Sequence, residues 1–327
     1  MSTSSSPVFI VGCPRSGTTL LRLMLTAHPD VAIPPESRFL RRLETWWAQC
    51  TKAGGFDPIV ATKAIDRHLE RMGIPRDRVL NRLSELTDPS PEQAVDAIFG
   101  VYAESEGKPR WGDKTPENVE RLSMLGRLLP AARFVHIVRD GRDVVLSQLQ
   151  QAFGPKSIWG CAHQWRRLVS LGRRTGNDLG PGRYYELRYE DLVVSPEVEL
   201  RSLCAFLGLE FDPRMISFNR DARQKLPDVE RRHHAHIHLS LQNSLRDWRT
   251  QMNPRDVELF EVVGGGLLSE IGYERAFPRP SVAARMKSLA IGARELAGET
   301  GMRTLRRRGR ALRRHGVLAI EGRPKRR

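Results

Sequence analysis

The sequence predicts a three-layer α/β fold, a central and mainly parallel sheet flanked by helices, extended by a basic helical tail. Three observations carry this. Short β-branched and aromatic runs alternate with stretches in which apolar residues recur at helix spacing. The first two runs each end at a glycine-containing loop that opens a helix. The length of 327 residues suffices to bury a large core.

The first strand is Val8-Phe9-Ile10-Val11, ended by Gly12 and Pro14. From Thr18 the spacing turns helical through Leu20, Leu21, Met24 and Leu25, until His28-Pro29 stops it. Residues 38–105 predict a helical insertion, with Phe39, Leu43, Trp46 and Trp47, then Ala94, Ile98, Val101 and Tyr102 at helix period. Residues 133–138 form the second strand, followed by Gly141 and a helix through Val144, Val145, Leu146 and Leu149. Residues 184–189 are the third candidate strand, and Pro196 opens the next helix. We expect a main domain over 1–280 and a tail over 281–327.

Composition narrows the classes. Apolar residues make up 40% and charged residues 28%, which excludes a wholly disordered chain. No apolar run reaches the roughly 18–20 residues of a membrane-spanning helix. Residues 1–7 lack a basic region and the following apolar run is four residues long, so no secretory signal is expected. Cys13, Cys50, Cys161 and Cys204 are scattered without a CxxC, which fits a reducing, cytoplasmic setting. The net charge of +15 is uneven: residues 281–327 hold fourteen basic and three acidic side chains, net +11, leaving +4 for the rest. Val282, Met286, Leu289, Ala290, Ala293, Leu296 and Ala297 recur at helix spacing, so the tail begins as a basic amphipathic helix. It suits packing on the main domain, a solvated extension, or peripheral attachment to an anionic membrane surface, whereas no specific nucleic acid is expected.

Two loops carry chemistry. Gly12-Cys13-Pro14-Arg15-Ser16-Gly17-Thr18-Thr19 has the spacing of a Walker A loop with Thr18 where Lys is expected. Backbone N–H groups and a helix N-terminus still favour an oxyanion there, and Arg15 adds charge from within the loop. Val138-Arg139-Asp140-Gly141-Arg142-Asp143-Val144-Val145-Leu146-Ser147 follows the second strand. Arg139 can fork onto a phosphate, and Ser147 can donate a hydroxyl to the same group.

In these residues the chain resembles sulfotransferases that use 3′-phosphoadenosine-5′-phosphosulfate (PAPS) and release 3′,5′-ADP (PAP), most closely the tyrosylprotein sulfotransferase branch and its bacterial relatives. The resemblance covers residues 8 to about 275 and implies a P-loop-like fold. It implies that Pro14, Arg15, Ser16, Gly17, Thr18 and Thr19 hold the 5′-phosphosulfate and that Arg139 and Ser147 hold the 3′-phosphate. It sets Tyr189 of Tyr189-Glu190-Asp191-Leu192 near the nucleotide. It sets Arg246 of Ser244-Leu245-Arg246-Asp247-Trp248-Arg249 beside it too, although the Arg-Lys-Gly of the cytosolic branch is absent just upstream.

The activity implied is in-line sulfuryl transfer to an acceptor hydroxyl of a tyrosine, sugar or small molecule, with no metal required. Arg15 and Lys114 are the catalytic cations, Lys114 lying in Trp111-Gly112-Asp113-Lys114-Thr115-Pro116. Glu36, in Pro34-Pro35-Glu36-Ser37-Arg38, is the general base. Read without the resemblance, Glu36 equally suits an acid that complements the dipole of the next helix. Two other readings compete. A kinase or NTPase lacks its Walker Lys here, and a non-enzymatic module would bind anionic surfaces through the tail. The residues His233-His234-Ala235-His236-Ile237-His238 suit an acceptor- or cofactor-facing loop better than a zinc site, having no acidic or Cys partner at finger spacing.

Overall fold

The computed structural model describes residues 6–51, 55–151, 154–218 and 247–295. It divides into two compact units, Met1–Met252 and Asn253–Arg327. The first contains a five-stranded sheet of β1 (Val8–Gly12), β2 (Val31–Ala32), β3 (Arg110–Lys114), β4 (Arg133–Val138) and β5 (Tyr184–Arg188). The order is β2-β3-β1-β4-β5 and every pairing is parallel. The three strands expected from the sequence are β1, β4 and β5. The two-residue β2 and the polar β3 went unread as strands, since neither has a β-branched run.

The connection after β1 leads to one edge of the sheet and that after β4 to the other. The crevice between these two strands is therefore a topological switch point, where ligands of open α/β sheets bind. The register sets the loops level: Gly12 lies opposite Ile137 across the β1–β4 pair, and Ile10 opposite Lys114 across β1–β3.

Helix α1 (Thr18–Ala27) is buried from Thr18 to Thr26. Its C-terminus is held by Lys108, whose Nζ donates to the carbonyls of Thr26, His28 and Val31 at 2.5, 2.9 and 3.0 Å. One ammonium thus satisfies a carbonyl of the last helical turn, that of the C-cap and that of the first residue of β2. The insertion holds a 3₁₀ turn (Phe39–Arg42), then α2 (Leu43–Cys50), α3 (Pro58–Met72), α4 (Arg76–Ser84) and α5 (Pro91–Ser105). Ser90 and Gln93 form a reciprocal capping box at the start of α5. An aromatic chain joins this layer to the sheet: Phe99 stacks on Trp111 at 4.5 Å, and Trp111 meets Phe9 edge-on at 5.8 Å. The indole N–H of Trp111 donates to Asp96 at 2.6 Å.

A 3₁₀ turn (Pro116–Arg121) and α6 (Leu122–Leu128) lead into β4. Then follow α7 (Gly141–Leu149), α8 (Ile158–Leu179), α9 (Tyr189–Val194) and α10 (Pro196–Leu207). Val8, Ile10, Leu21, Leu25, Val135, Ile137, Leu203 and Leu207 belong to one buried cluster.

The second unit holds a helix over Pro254–Glu270, capped by Asn253, whose side chain accepts the Arg255 N–H at 2.9 Å. Glu261, buried on that helix, accepts the N–H groups of Ala276 and Phe277 at 2.9 and 2.8 Å. A further helix covers residues 282–295, so the helical start of the tail is present.

Candidate active site

The first loop is built by its backbone. Gly12, Arg15 and Gly17 take positive φ of 157°, 78° and 101°, which turns the chain sharply between β1 and α1. Two of the positions admit little but glycine. A Cβ on Gly12 would lie 2.6 Å from the Ile137 carbonyl oxygen, and one on Gly17 would lie 2.3 Å from the Tyr189 ring. No side chain caps α1 at Gly17 and no acid lies in its first turn. A helix start without a side-chain cap or an acid suits an anion. The Ser16 hydroxyl is buried with no hydrogen-bond partner.

The second loop is built by side chains. Asp140 caps α7 by accepting the Arg142 N–H at 2.9 Å, and it grips the Arg142 guanidinium at 3.0 and 2.7 Å. Arg142 is buried and lies 3.6 Å from the centre of the Trp248 ring. Asp143 accepts the Trp248 N–H at 2.9 Å. The Arg139 carbonyl accepts the Trp165 indole N–H at 3.1 Å. The Arg139 guanidinium, itself buried, lies 4.3 Å over the Tyr189 ring, and its Nε and Nη2 have no hydrogen-bond partner. A buried cation with two unused donors costs several kcal/mol unless an anion completes it. The residues thus fit a phosphate.

Helix α7 braces one loop against the other. The Arg15 Nε donates to Ser147 Oγ at 2.9 Å, and the Gln148 amide donates to the Pro14 carbonyl at 3.2 Å. Tyr189 does the same from below, packed under both Gly17 and Arg139. Its place is a floor between the two cradles, buried at 4% exposure.

A third cluster lies at the end of β3. Lys114 is buried and its Nζ donates to Glu36 at 2.9 Å. Arg38, at a positive φ of 55°, folds back to fork onto the other oxygen of Glu36 at 3.0 and 2.8 Å. Arg38 occupies the N-cap of the following turn, and no side chain caps it. Burial works to raise the Glu36 pKa, but the Lys114 ammonium and the Arg38 guanidinium outweigh it and hold the carboxyl at about 2. Behind them Asp113 accepts from Asn118 at 2.8 Å and from Thr115 at 3.3 Å, fixing the turn that carries Lys114. Burial pushes Asp113 up to about 6.

The structure therefore brings together Pro14, Arg15, Ser147 and the loop glycines, joins Tyr189 to Gly17 and Arg139, and pairs Glu36 with Lys114. Arg246 and the His233–His238 cluster lie outside the described residues. Arg249 is exposed and stacks on Trp248 at 4.6 Å. Sequence reasoning missed Gln148, Asp113, Asn118, Asp143 and Trp165. Of these, Gln148 and Asp143 were reachable, because each is on the helix that the second loop opens.

The glycine loop and the arginine loop follow adjacent parallel strands of one α/β fold and open on one crevice. The chain belongs to the Sulfotransferase family, whose model matches residues 7–213. It is 27% identical over 279 residues to a protein-tyrosine sulfotransferase of Drosophila melanogaster, a match spanning 82% of this chain and 51% of that one. It is 26% identical over 278 residues to protein-tyrosine sulfotransferase 1 of Danio rerio, spanning 82% and 72%. The chain thus spans about half the length of the first relative. Among solved structures, the sulfotransferase domain of the Synechococcus PCC 7002 olefin synthase matches at 25% identity. It covers 83% of this chain and 97% of that domain, with a TM-score of 0.53.

Proposed function

We propose that the chain transfers a sulfuryl group from PAPS to an acceptor hydroxyl. The observation that carries this is the pair of braced anion cradles, each with a buried, unpartnered donor: Ser16 in the first and Arg139 in the second. Two cradles at one crevice suit a nucleotide with phosphates at both 5′ and 3′ positions. A kinase reading has neither a Lys at position 18 nor a use for Arg139. The names of the relatives make a tyrosine hydroxyl the first acceptor to test.

The chain's residues divide the work. The first loop, the α1 N-terminus and Arg15 meet charge that develops on the leaving 5′-phosphate oxygen. Arg139 and Ser147 hold the 3′-phosphate and so fix the nucleotide's register. The bond between sulfur and the 5′-phosphate oxygen breaks as one between sulfur and the acceptor oxygen forms, and Glu36 takes the acceptor proton. At about 2, Glu36 is ionised but a weak base while Lys114 holds it. Lys114 drawn toward a sulfuryl group would release Glu36 and raise its basicity, so the two act as a pair.

Thermal unfolding with 3′,5′-ADP, against 5′-ADP and ATP with magnesium, tests the nucleotide site without an acceptor. At 100 times its dissociation constant, 3′,5′-ADP should stabilise by about 2.7 kcal/mol. A rise with ATP and magnesium alone would favour the kinase, and no rise would leave the loops as structural turns. With a working acceptor, Glu36→Gln should keep 3′,5′-ADP affinity and lower turnover by roughly 10²–10⁴-fold. Unchanged turnover would assign the base elsewhere.

A further inference from the structure

The helix of residues 282–295 turns its small residues inward and its large apolar ones to water. Ala284 and Ser288 are each only 8% exposed, and Gly292 is also buried. Val282, Met286 and Leu289 are 75%, 61% and 68% exposed. Spacings of four and three place them on one stripe, which the exposed Ala293 continues. A helix that serves only to cover a core shows the reverse arrangement. Among the described residues, these three are nearly half of the seven large apolar side chains that are strongly exposed. Such a concentration marks a contact surface. By helical projection Arg285 flanks the stripe on one side, with Lys287 and Arg294 on the other, all three exposed. Residues 296–327, which lie outside the described residues, hold eleven basic and two acidic side chains in the sequence.

We propose that this stripe docks on an anionic phospholipid bilayer, Val282, Met286 and Leu289 entering the headgroup layer while the flanking Arg285, Lys287 and Arg294 meet lipid phosphates. Charge complementarity selects this occupant. A second copy would bring two strongly cationic segments together. A nucleic acid would use the cations but leave the apolar stripe in water. An anionic bilayer takes both, and each basic side chain near its surface multiplies affinity by roughly fivefold.

The test is flotation of the full chain with phosphatidylcholine vesicles, with or without about 30% phosphatidylserine, at about 0.15 M salt. Binding to the anionic vesicles should exceed binding to neutral ones at least tenfold. A Val282→Ser, Met286→Ser, Leu289→Ser variant should lose at least tenfold while its far-UV circular dichroism and melting temperature stay unchanged. A second variant, Arg285→Gln, Lys287→Gln, Arg294→Gln, should bind more weakly and with a shallower salt dependence. Four results would each overturn the proposal: no binding of the parent chain to anionic vesicles; a serine variant that binds as well as the parent; stripe-dependent self-association without vesicle binding; or DNA binding that the serine variant retains, without vesicle binding. None of these outcomes depends on the sulfotransferase reading, which 3′,5′-ADP tests separately.

Discussion

The two anion loops sit on neighbouring strands and solve one problem in different ways. The loop after β1 turns on three positive φ angles, at Gly12, Arg15 and Gly17, and offers backbone N–H groups. The loop after β4 has no positive φ from Arg139 to Ser147 and is held by Asp140, Arg142 and Asp143. A backbone cradle is indifferent to most side chains, which is why Thr18 can stand where a Walker loop has Lys. It is intolerant of any Cβ where the chain closes on itself. A side-chain cradle reverses both rules: its backbone is ordinary, and its specificity rests on one guanidinium held open.

The largest expected effect comes from breaking the second loop. Arg139→Ala removes two unpartnered charged donors, each worth about 1.5–3 kcal/mol when satisfied. Affinity for 3′,5′-ADP should fall roughly 10²–10⁴-fold by calorimetry, while 5′-AMP, which lacks the 3′-phosphate, should lose far less. Equal losses for both nucleotides would remove Arg139 from the 3′-phosphate. Next is Gly17→Ala. The added methyl would lie 2.3 Å from the Tyr189 ring at a φ of 101°. Strain of about 1–3 kcal/mol, with displacement of the ring, should lower the melting temperature. Because Tyr189 also supports Arg139, 3′,5′-ADP should lose more affinity than 5′-AMP, which uses the first loop alone. Equal losses would disprove the shared floor.

This contrast also explains what the sequence disclosed. Gly12, Gly17 and the strand-loop-helix junction were legible because backbone geometry restricts residue choice locally. Glu36 and Lys114 were each nameable, but their pairing was not. It depends on β3 lying beside β1 and on Arg38 folding back, neither of which leaves a periodic mark. Tyr189 was placed near the nucleotide, and its role as a floor needed the β4–β5 pairing. Strand β3 itself, Arg-Trp-Gly-Asp-Lys, reads as polar because its strand character is imposed by neighbours and not by propensity. The aromatic stack of Phe99 on Trp111 spans twelve residues of sequence and the helix-to-sheet interface, beyond any local pattern.

The smallest predicted effect asks whether Arg139 is truly open at rest. Asp143 is buried at 6% exposure in the first turn of α7. Burial raises its carboxyl most, Asp140 and Glu190 add to that, Arg139 and the Trp248 N–H oppose it, and the balance leaves it at about 7. A folded pKa above the unfolded 3.8 means that the neutral acid is favoured by the fold. That contribution is complete below about pH 4 and is lost as pH rises toward 7. Asp143→Asn keeps an oxygen to accept the Trp248 N–H and removes the titration. Its stability should match the parent near pH 4 and exceed it near pH 8 by on the order of 1–2 kcal/mol, read from urea unfolding at each pH. Glu36 does not confuse the comparison, because its lowered pKa of about 2 removes stability only as pH falls from about 4.5. Asp113 titrates equally in both proteins and cancels. Parallel curves would mean that Asp143 is ionised in the fold. The resting guanidinium would then be paired with Asp143, and the second cradle would have to break an ion pair before it could accept a phosphate.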